Sequence, residues 1–342
     1  MNERRLESLL DRFSDAHILV VGDYFLDRYL IIDRSLSEVS LETGLEAHQV
    51  IEVRCSPGAA GTVTSNLRAL GVQVTALGVI GDDGMGYELL RGLHERGVNT
   101  EPLIQVADRF TPTYTKPTVR EPDGHTHEIQ RLDIKNRGPV PHWLEQEIVA
   151  TLQEWIPRVN GVIVADQIPE RNCGVITDQV RAALNELALA HADQPLAADS
   201  RARIGEFRHL IVKPNVQEAL MAVYPDRTDN EISREMVEKC GHELYRRNGR
   251  PVFLTVGADG ILVFDQNGMT HVPGIQVSGP IDIVGAGDSV MAGIVSSLCC
   301  GASHAEAALV GNLVASITIQ QIGTTGTATP EQVMQHYREV MS

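Results

Sequence analysis

Apolar residues in this chain gather into short unbroken runs, and between the runs they recur at helical spacing. The first run, His-Ile-Leu-Val-Val-Gly at His17–Gly22, predicts a buried strand that ends near Asp23. Ala60, Val63, Leu67 and Leu70 then form one stripe of a helix that stops at Gly71. Further strands are predicted at Val74–Ile80, Val162–Ala165, Leu196–Ala198, Leu210–Val212 and Val252–Val256. Helices are predicted from Tyr87 to Arg96, from Trp143 to Trp155 and from Val175 to Ala190. A strand that is apolar at every position has no solvent face, so it belongs in a parallel sheet covered on both sides. The pattern predicts a doubly wound, mostly parallel α/β sheet with helices on both faces.

Two segments break that rhythm, at about residues 28–55 and 112–133. The runs Tyr29-Leu-Ile-Ile, His48-Gln-Val-Ile-Glu-Val and Thr113-Tyr-Thr-Lys-Pro-Thr-Val follow one another there with no helix between neighbours. They predict a small antiparallel sheet beside the main one, with Pro122-Asp-Gly as a turn signal. Such a sheet would close over a site as a lid or serve as a dimer interface; a plain insertion is the alternative. No internal repeat or low-complexity tract interrupts the chain, which reads as a single domain over residues 1–342 with two lid segments.

Composition narrows the partners. With 342 residues, 43% of them apolar, the chain can bury a large core without staples. A formal net charge of −16 argues against nucleic acid or an anionic membrane as partner. Cys55, Cys173, Cys240, Cys299 and Cys300 are odd in number and show no Cys-x-x-Cys spacing, the usage expected of reduced thiols in a cytoplasmic protein. The first residues mix charges with leucines and lack the apolar core of a signal peptide. No run approaches the roughly 18 apolar residues of a membrane span.

Candidate chemistry concentrates at Asp282-Ile-Val-Gly-Ala-Gly-Asp288, at the mouth of an apolar helix. Free N–H groups at a helix start, with the positive end of the dipole, hold an anion. Gly285 and Gly287 lack Cβ atoms, so a phosphate can come close. Asp288 would repel an anion as its ligand. As a base it would take a proton from an attacking hydroxyl while the Gly285, Ala286 and Gly287 amides hold the phosphoryl group. That pairing points to a kinase, although neither a P-loop nor a protein-kinase signature occurs. Asp23 ends a buried strand, where open α/β sheets place their ligands, and is expected to bind acceptor hydroxyls together with Asp27. Asp166 and Asp199 end later strands on the same side and are further candidates.

Two more glycine clusters lie upstream, Pro57-Gly-Ala-Ala-Gly-Thr-Val-Thr-Ser-Asn and Gly78-Val-Ile-Gly-Asp-Asp-Gly-Met-Gly86. With Gly-Ala-Gly-Asp they make the chain resemble the ribokinase/PfkB family of small-molecule kinases from about His17 to Thr327. The resemblance implies a ribokinase-like fold, ATP as donor and Mg²⁺ as cofactor. Lys213-Pro-Asn-Val-Gln-Glu218 is similar to the family's Asn-x-x-Glu element, which implies Asn215 and Glu218 as partners of Mg²⁺ through water. An N-cap Asn with a Glu three residues on is the structural reading of the same pair. Thr255-Val-Gly-Ala-Asp-Gly260 looks like the family's nucleotide-phosphate loop, which implicates Thr255, Gly257 and Gly260. Asn312 and Gly323-Thr-Thr-Gly-Thr327 fall where the family builds its adenine pocket. Asp282 is implied either to fix its turn or, as in some relatives, to stand beside a monovalent cation such as K⁺.

Val21-Gly-Asp-Tyr-Phe-Leu-Asp-Arg-Tyr29, Ile129-Gln-Arg-Leu-Asp133 and Ala198-Asp-Ser-Arg201 resemble the D-glycero-D-manno-heptose 7-phosphate kinase group within that family. This likeness implies that Arg131 reaches the acceptor from the lid; a solvated strand is the alternative reading of the same segment. The departures sit on the acceptor side. The family's substrate loop is usually Gly-Gly-x-x-Asn; here Gly58 keeps the first glycine, Ala59 stands for the second and Thr62 for the Asn. Ser40-Leu-Glu-Thr-Gly-Leu-Glu-Ala replaces the group's proline-rich lid segment. The expectation is an ATP-dependent, Mg²⁺-requiring kinase acting on a hydroxyl of a sugar or sugar phosphate, a heptose phosphate first. A kinase of another sugar or a nucleoside, or a non-catalytic sugar-sensing protein on the same fold, are the alternatives. A second copy of the chain, docked through the lid, is the one macromolecular partner considered.

Overall fold

Unbroken apolar runs become central strands because water reaches neither of their faces. The computed structural model describes residues 1–121, 124–227, 231–323 and 325–341. In chain order its strands begin with β1 (His17–Gly22), β2 (Tyr24–Val39), β3 (Glu46–Ala59), β4 (Gln73–Leu77), β5 (Val79–Gly81), β6 (Ile104–Val106), β7 (Thr113–Arg120) and β8 (Thr126–Glu128). They continue as β9 (Leu132–Ile134), β10 (Gly161–Asp166), β11 (Leu196–Ser200), β12 (Ile211–Val212), β13 (Val252–Thr255), β14 (Ile261–Asp265) and β15 (Gly268–Val272). The helices are α1 (Glu3–Leu10), α2 (Ala60–Ala69), α3 (Gly84–Glu95), α4 (His142–Trp155) and α5 (Asp178–Ala190), then α6 (Val216–Val223), α7 (Arg234–Asn248), α8 (Ala286–Cys299), α9 (His304–Thr318) and α10 (Pro330–Met341). No helix among the described residues is long and apolar enough to cross a membrane.

The main sheet runs β15-β14-β13-β12-β11-β10-β1-β4. Strands β4 to β13 along this path are parallel, and β14 and β15 are antiparallel additions at one edge. Alternation along β1 separates two cores. Ile18 and Val20 pack with α1, α2, α3, α8, α9 and α10, while Leu19 and Val21 pack with α4, α5, α6 and α7. All four side chains are fully buried, and each contributes about 1.5–3 kcal/mol by leaving water. The doubly wound α/β architecture follows from this two-sided burial.

Local capping moves some predicted boundaries. The strand expected over Val74–Ile80 is divided at Gly78, where a Cβ would stand 2.6 Å from the Tyr24 ring and 2.8 Å from the Gly22 carbonyl. The helix expected from Val175 begins at Asp178, because Thr177 caps it by accepting the Val180 N–H at 3.3 Å. Asp83 does the same for α3, accepting the Gly86 N–H at 2.7 Å.

The lid is a second sheet, β3-β2-β7-β8, with β9 also on β7. It is not wholly antiparallel as expected. β2 pairs antiparallel with β3, and β7 antiparallel with β8 and β9, but β2 and β7 run parallel from Leu26↔Thr113 to Asp33↔Arg120. Between β2 and β7 the chain passes through α2 and α3, so it re-enters the lid in the direction it left. Pro122 and Asp123 of the expected turn lie outside the described residues. β2 begins two residues after β1 ends, so the lid grows directly out of the central sheet.

Ala59 joins β3 to α2 at φ 53° and ψ −116°, a backbone region that glycine enters freely and a Cβ resists. Such a residue carries strain of order 1–3 kcal/mol. Its methyl packs against the small cluster of Phe25, Ile168 and Cys173, which holds the turn in place.

Candidate active site

Strand ends, glycine turns and the lid meet on one side of the main sheet, where a cleft of about 720 Å³ extends from Asp288 past Gly257 to Asn312. Its floor is the start of α8. Gly285 caps that helix in the left-handed region at φ 81° and ψ 0°, a conformation free of strain only for glycine. Asp282 closes the preceding turn: its Oδ1 accepts the Val284 N–H at 3.0 Å and its own N–H donates to the Ile319 carbonyl at 2.8 Å. Beneath the turn, Ser289 Oγ donates to Asn66 Oδ1 at 3.2 Å and accepts from Thr318 Oγ1 at 3.0 Å, locking α2, α8 and α9 together.

The anion-binding donors differ from the expected trio at one position. The Ala286 N–H already donates to the Ile283 carbonyl at 3.1 Å. This leaves the N–H groups of Gly285, Gly287 and Asp288, which have no hydrogen-bond partner among the described residues. Asp288 is half-buried in the first turn. Burial and then the facing Asp199 carboxylate push its carboxyl up to about 7, against the pull of Lys213 and Arg201. A carboxyl in that range is well matched to accept a hydroxyl proton near neutral pH.

Thr255, Gly257, Gly260 and Asn312 line the donor half of the cleft, with Ile275, Val277 and Ala315 supplying an apolar wall. Asn312 Nδ2 donates to the Val272 and Pro273 carbonyls at 3.2 and 2.9 Å, so its amide also ties down the end of β15. Gly323 does not line the cleft. It is exposed, and its loop is held back by Gln321, whose Nε2 donates to the Thr327 carbonyl at 2.7 Å. Thr324 lies outside the described residues.

Asn215 and Glu218 form a reciprocal cap on α6: Asn215 Oδ1 accepts the Glu218 N–H at 2.9 Å, and Glu218 Oε2 accepts the Asn215 N–H at 2.8 Å. Burial and the nearby Asp199 hold the Glu218 carboxyl above its usual range. No group of three or more His, Cys, Asp or Glu side chains among the described residues forms a ready metal cage. Glu218 and Asp199, two carboxylates on the lining of the same cleft, fit a hydrated Mg²⁺ that keeps its waters.

On the acceptor side two expectations are corrected. Asp23 is 2% exposed, and its oxygens accept the N–H groups of Gln167, Ile168 and Val175 at 2.8, 3.1 and 2.8 Å. Its carboxylate clamps the loop after β10 and does not line the cleft. Asp166 is 1% exposed, ion-paired with Arg203 at 3.0 Å and bonded to Ser200, so it too faces inward. Asp27 is the carboxylate that reaches the site. It lies close enough to Asp288 to raise that carboxyl further, and it pairs with Lys116 at 3.1 Å. A Cβ on Gly58 would stand 2.5 Å from Asp27 Oδ2, so a side chain there would push the Asp27 carboxylate out of its present position.

Thr62 does not line the main cleft. It faces a separate cavity of about 420 Å³ with Ser56, Ser65 and Thr325. Arg131 is held by Asp133 through two 2.7 Å hydrogen bonds, with its guanidinium 4.4 Å over the Tyr114 ring. Lys116, Arg201 and Lys213 were not singled out by sequence reasoning, though each stands inside or beside a motif quoted above. Arg201 Nε donates to Gln167 Oε1 at 3.0 Å at the cleft wall. Lys213, a lysine directly after the apolar run Leu210–Val212, is 3% exposed and pairs with Asp199 at 3.0 Å. A charged residue continuing a buried strand was the signal that could have found it.

Comparison with known proteins shows the family. A family profile described as pfkB family carbohydrate kinase matches residues 17–332. The bifunctional protein HldE of Trichlorobacter lovleyi is 30% identical over 98% of this chain, and that of Desulfatibacillum aliphaticivorans 30% identical over 91%. The chain spans 65% and 61% of the length of these two curated relatives. Among solved structures, Arabidopsis thaliana ribokinase complexed with ribose and ATP superposes with a TM-score of 0.65 at 17% identity, covering 94% of this chain and 98% of that one. Escherichia coli phosphofructokinase-2 in complex with fructose-6-phosphate gives 0.68 at 17% identity, covering 96% and 100%. At these identities the structural likeness shows the fold.

Proposed function

The chain belongs to the pfkB family of carbohydrate kinases, ATP-dependent phosphotransferases with an alcohol acceptor, and from that premise we propose that its acceptor is a phosphorylated sugar. The observation that carries this reading is the charge on the acceptor side. Lys116, Arg131 and Arg201 come from three separate elements and gather around Tyr114 and Asp27. Arg131 stacks on the Tyr114 ring, Arg201 acts on its hydroxyl, and Lys116 pairs with Asp27. A neutral sugar needs hydrogen-bonding partners, whereas a phosphate needs cations such as these. A heptose 7-phosphate is the first candidate.

In this reading Asp288 takes the hydroxyl proton, and the Gly285 and Gly287 N–H groups hold the phosphoryl oxygens. The loop from Thr255 to Gly260 holds the nucleotide phosphates, and Asn312 borders the base. Asn215, Glu218 and Asp199 would hold hydrated Mg²⁺, which when bound neutralises polyphosphate charge. The lid excludes water that would otherwise hydrolyse ATP. Five free thiols and the need for ATP suit a cytoplasmic setting. The test is ADP release from ATP and Mg²⁺ with D-glycero-D-manno-heptose 7-phosphate, fructose 6-phosphate, ribose and adenosine in parallel. A sugar phosphate is expected to give the highest kcat/KM; preference for ribose or adenosine would overturn the reading.

The lid also suggests its partner. Val39, Leu41, Leu45, Val50, Ile51 and Val53 are exposed along the β2–β3 ribbon and its connecting turn, a concentration of apolar exposure of the kind that marks an interface. A second copy of the chain, docked ribbon to ribbon, is the occupant proposed. Light scattering should give twice the 37.4 kDa chain mass; a monomer at every concentration would remove the proposal.

A further inference from the structure

We propose that Lys213 is a catalytic residue whose ammonium contacts the transferring phosphoryl group, opposite the glycine turn of α8. The proposal rests on the kinase reading above and adds a cation to its phosphoryl site. Lys213 directly follows β12, and its backbone is fixed: its N–H donates to the Ala198 carbonyl at 3.0 Å, and the Thr255 N–H donates to the carbonyl of Pro214 at 2.9 Å. Its Nζ lies 3.4 Å from where a Cβ on Gly287 would stand. The ammonium therefore stands over the first turn of α8, beside the unpartnered N–H groups of Gly287 and Asp288.

That placement is unfavourable in an empty site. A helix dipole repels a cation at its N-terminus, and a buried ammonium is costly unless its donors are met. Lys213 has three N–H donors, and among the described residues Asp199 is its sole ion-pair partner within 4.0 Å. An anion between the ammonium and the α8 turn satisfies the remaining donors and the helix end together. Such fixed donors, aimed where charge resides during transfer, are a principal source of rate enhancement.

In the transfer, the acceptor oxygen bonds to the γ-phosphorus while the bond from that phosphorus to the β–γ bridging oxygen breaks. The bonding pair leaves with ADP, and the hydroxyl proton passes to Asp288. Lys213 neither gives nor takes a proton; it offsets charge on the phosphoryl oxygens. It also holds the Asp288 carboxyl down, since its charge favours the ionised form.

The test uses the full chain with ATP, Mg²⁺ and the best acceptor of the panel above. Lys213→Met should lose about 100- to 1000-fold in kcat with little change in the KM for ATP. The acid limb of its kcat/KM profile should move to higher pH, because Asp288 loses the nearby cation. The acid limb reports only the cation's nearness to Asp288; a kcat loss at saturating ATP with an unchanged KM for ATP reports contact with the transferring group. Near wild-type kcat, or a loss carried by the KM for ATP alone, overturns the proposal. If Lys213→Met matches the wild type while Asp288→Asn is inactive, the proposal falls and the kinase reading stands. A wild-type chain inactive on every acceptor removes both. Should the variant fail to fold, a crystal structure of the wild type with ADP, Mg²⁺ and aluminium fluoride decides: Nζ within hydrogen-bond distance of the fluoride supports the role, and Nζ held by Asp199 away from it overturns it.

Discussion

Asp288→Asn should reduce kcat by about 10²- to 10⁴-fold, with nucleotide affinity nearly unchanged. The carboxamide keeps the shape and the helix start but cannot take the hydroxyl proton. Wild-type kcat/KM should fall about tenfold per pH unit on the acid side of pH 7, because the Asp288 carboxyl is raised to about 7, by burial first and Asp199 second. The same shift carries a stability signature of opposite benefit. An unfolded Asp titrates at about 3.9, so between there and 7 the folded chain binds more protons than the unfolded one. Wild-type stability from this group therefore falls as pH rises through that window. Asp288→Asn escapes the penalty: it should melt a few degrees above the wild type at pH 8, with the gap closing towards pH 4. Retained turnover in the variant would show that another group accepts the proton.

Arg203→Met is expected to be the most damaging change away from the chemistry. Asp166 and Arg203 form a buried pair at 3.0 Å, with side-chain exposures of 1% and 7%. The guanidinium also donates to the Pro169 and Ile168 carbonyls. Removing it strands a carboxylate in the interior, which costs about 3–5 kcal/mol. Burial already pushes the Asp166 carboxyl upward, and Arg203 is the leading influence opposing it. Without Arg203 the group can escape its penalty only by taking a proton, so the loss should be larger at pH 8 than at pH 5. Urea unfolding at the two pH values measures it. Asp166→Leu added to Arg203→Met should recover part of the loss, since no charge remains stranded; an equal midpoint for wild type and Arg203→Met would refute the buried-pair account.

Much of the architecture was legible because the apolar runs are long, and burial on both faces leaves few alternatives. Val162–Ala165 and Val252–Val256 were readable for that reason. Direction was harder: the parallel pairing of β2 with β7 depends on the crossover between them and leaves no mark within either strand. The same divide separates the two carboxylates after β1. Asp23 stands at the strand end, where ligands commonly bind, but the three N–H groups it accepts come from residues some 144 to 152 positions away. Asp27, four residues on, is delivered to the site because β2 runs straight out of β1. Gly58 was visible as a motif glycine, but its close approach to the Asp27 carboxylate needed three dimensions. Lys116, Arg201 and Lys213 act as a group only because separate elements bring them together.

The clamp at Asp23 also sets an order of events during synthesis. Its carboxylate lies in the first tenth of the chain, yet its partners end at Val175, near the middle. Until that loop leaves the ribosome, β1 lacks its β10 neighbour and carries a carboxylate with nothing to accept from. At about 5–20 residues per second this delay is on the order of ten seconds or more. In its first part the β2–β3 ribbon, with Val39, Leu41, Val50 and Val53 exposed, is already made and has no β7 to lie against until Arg120 has emerged, so the nascent chain is most exposed to aggregation before its own middle has been translated.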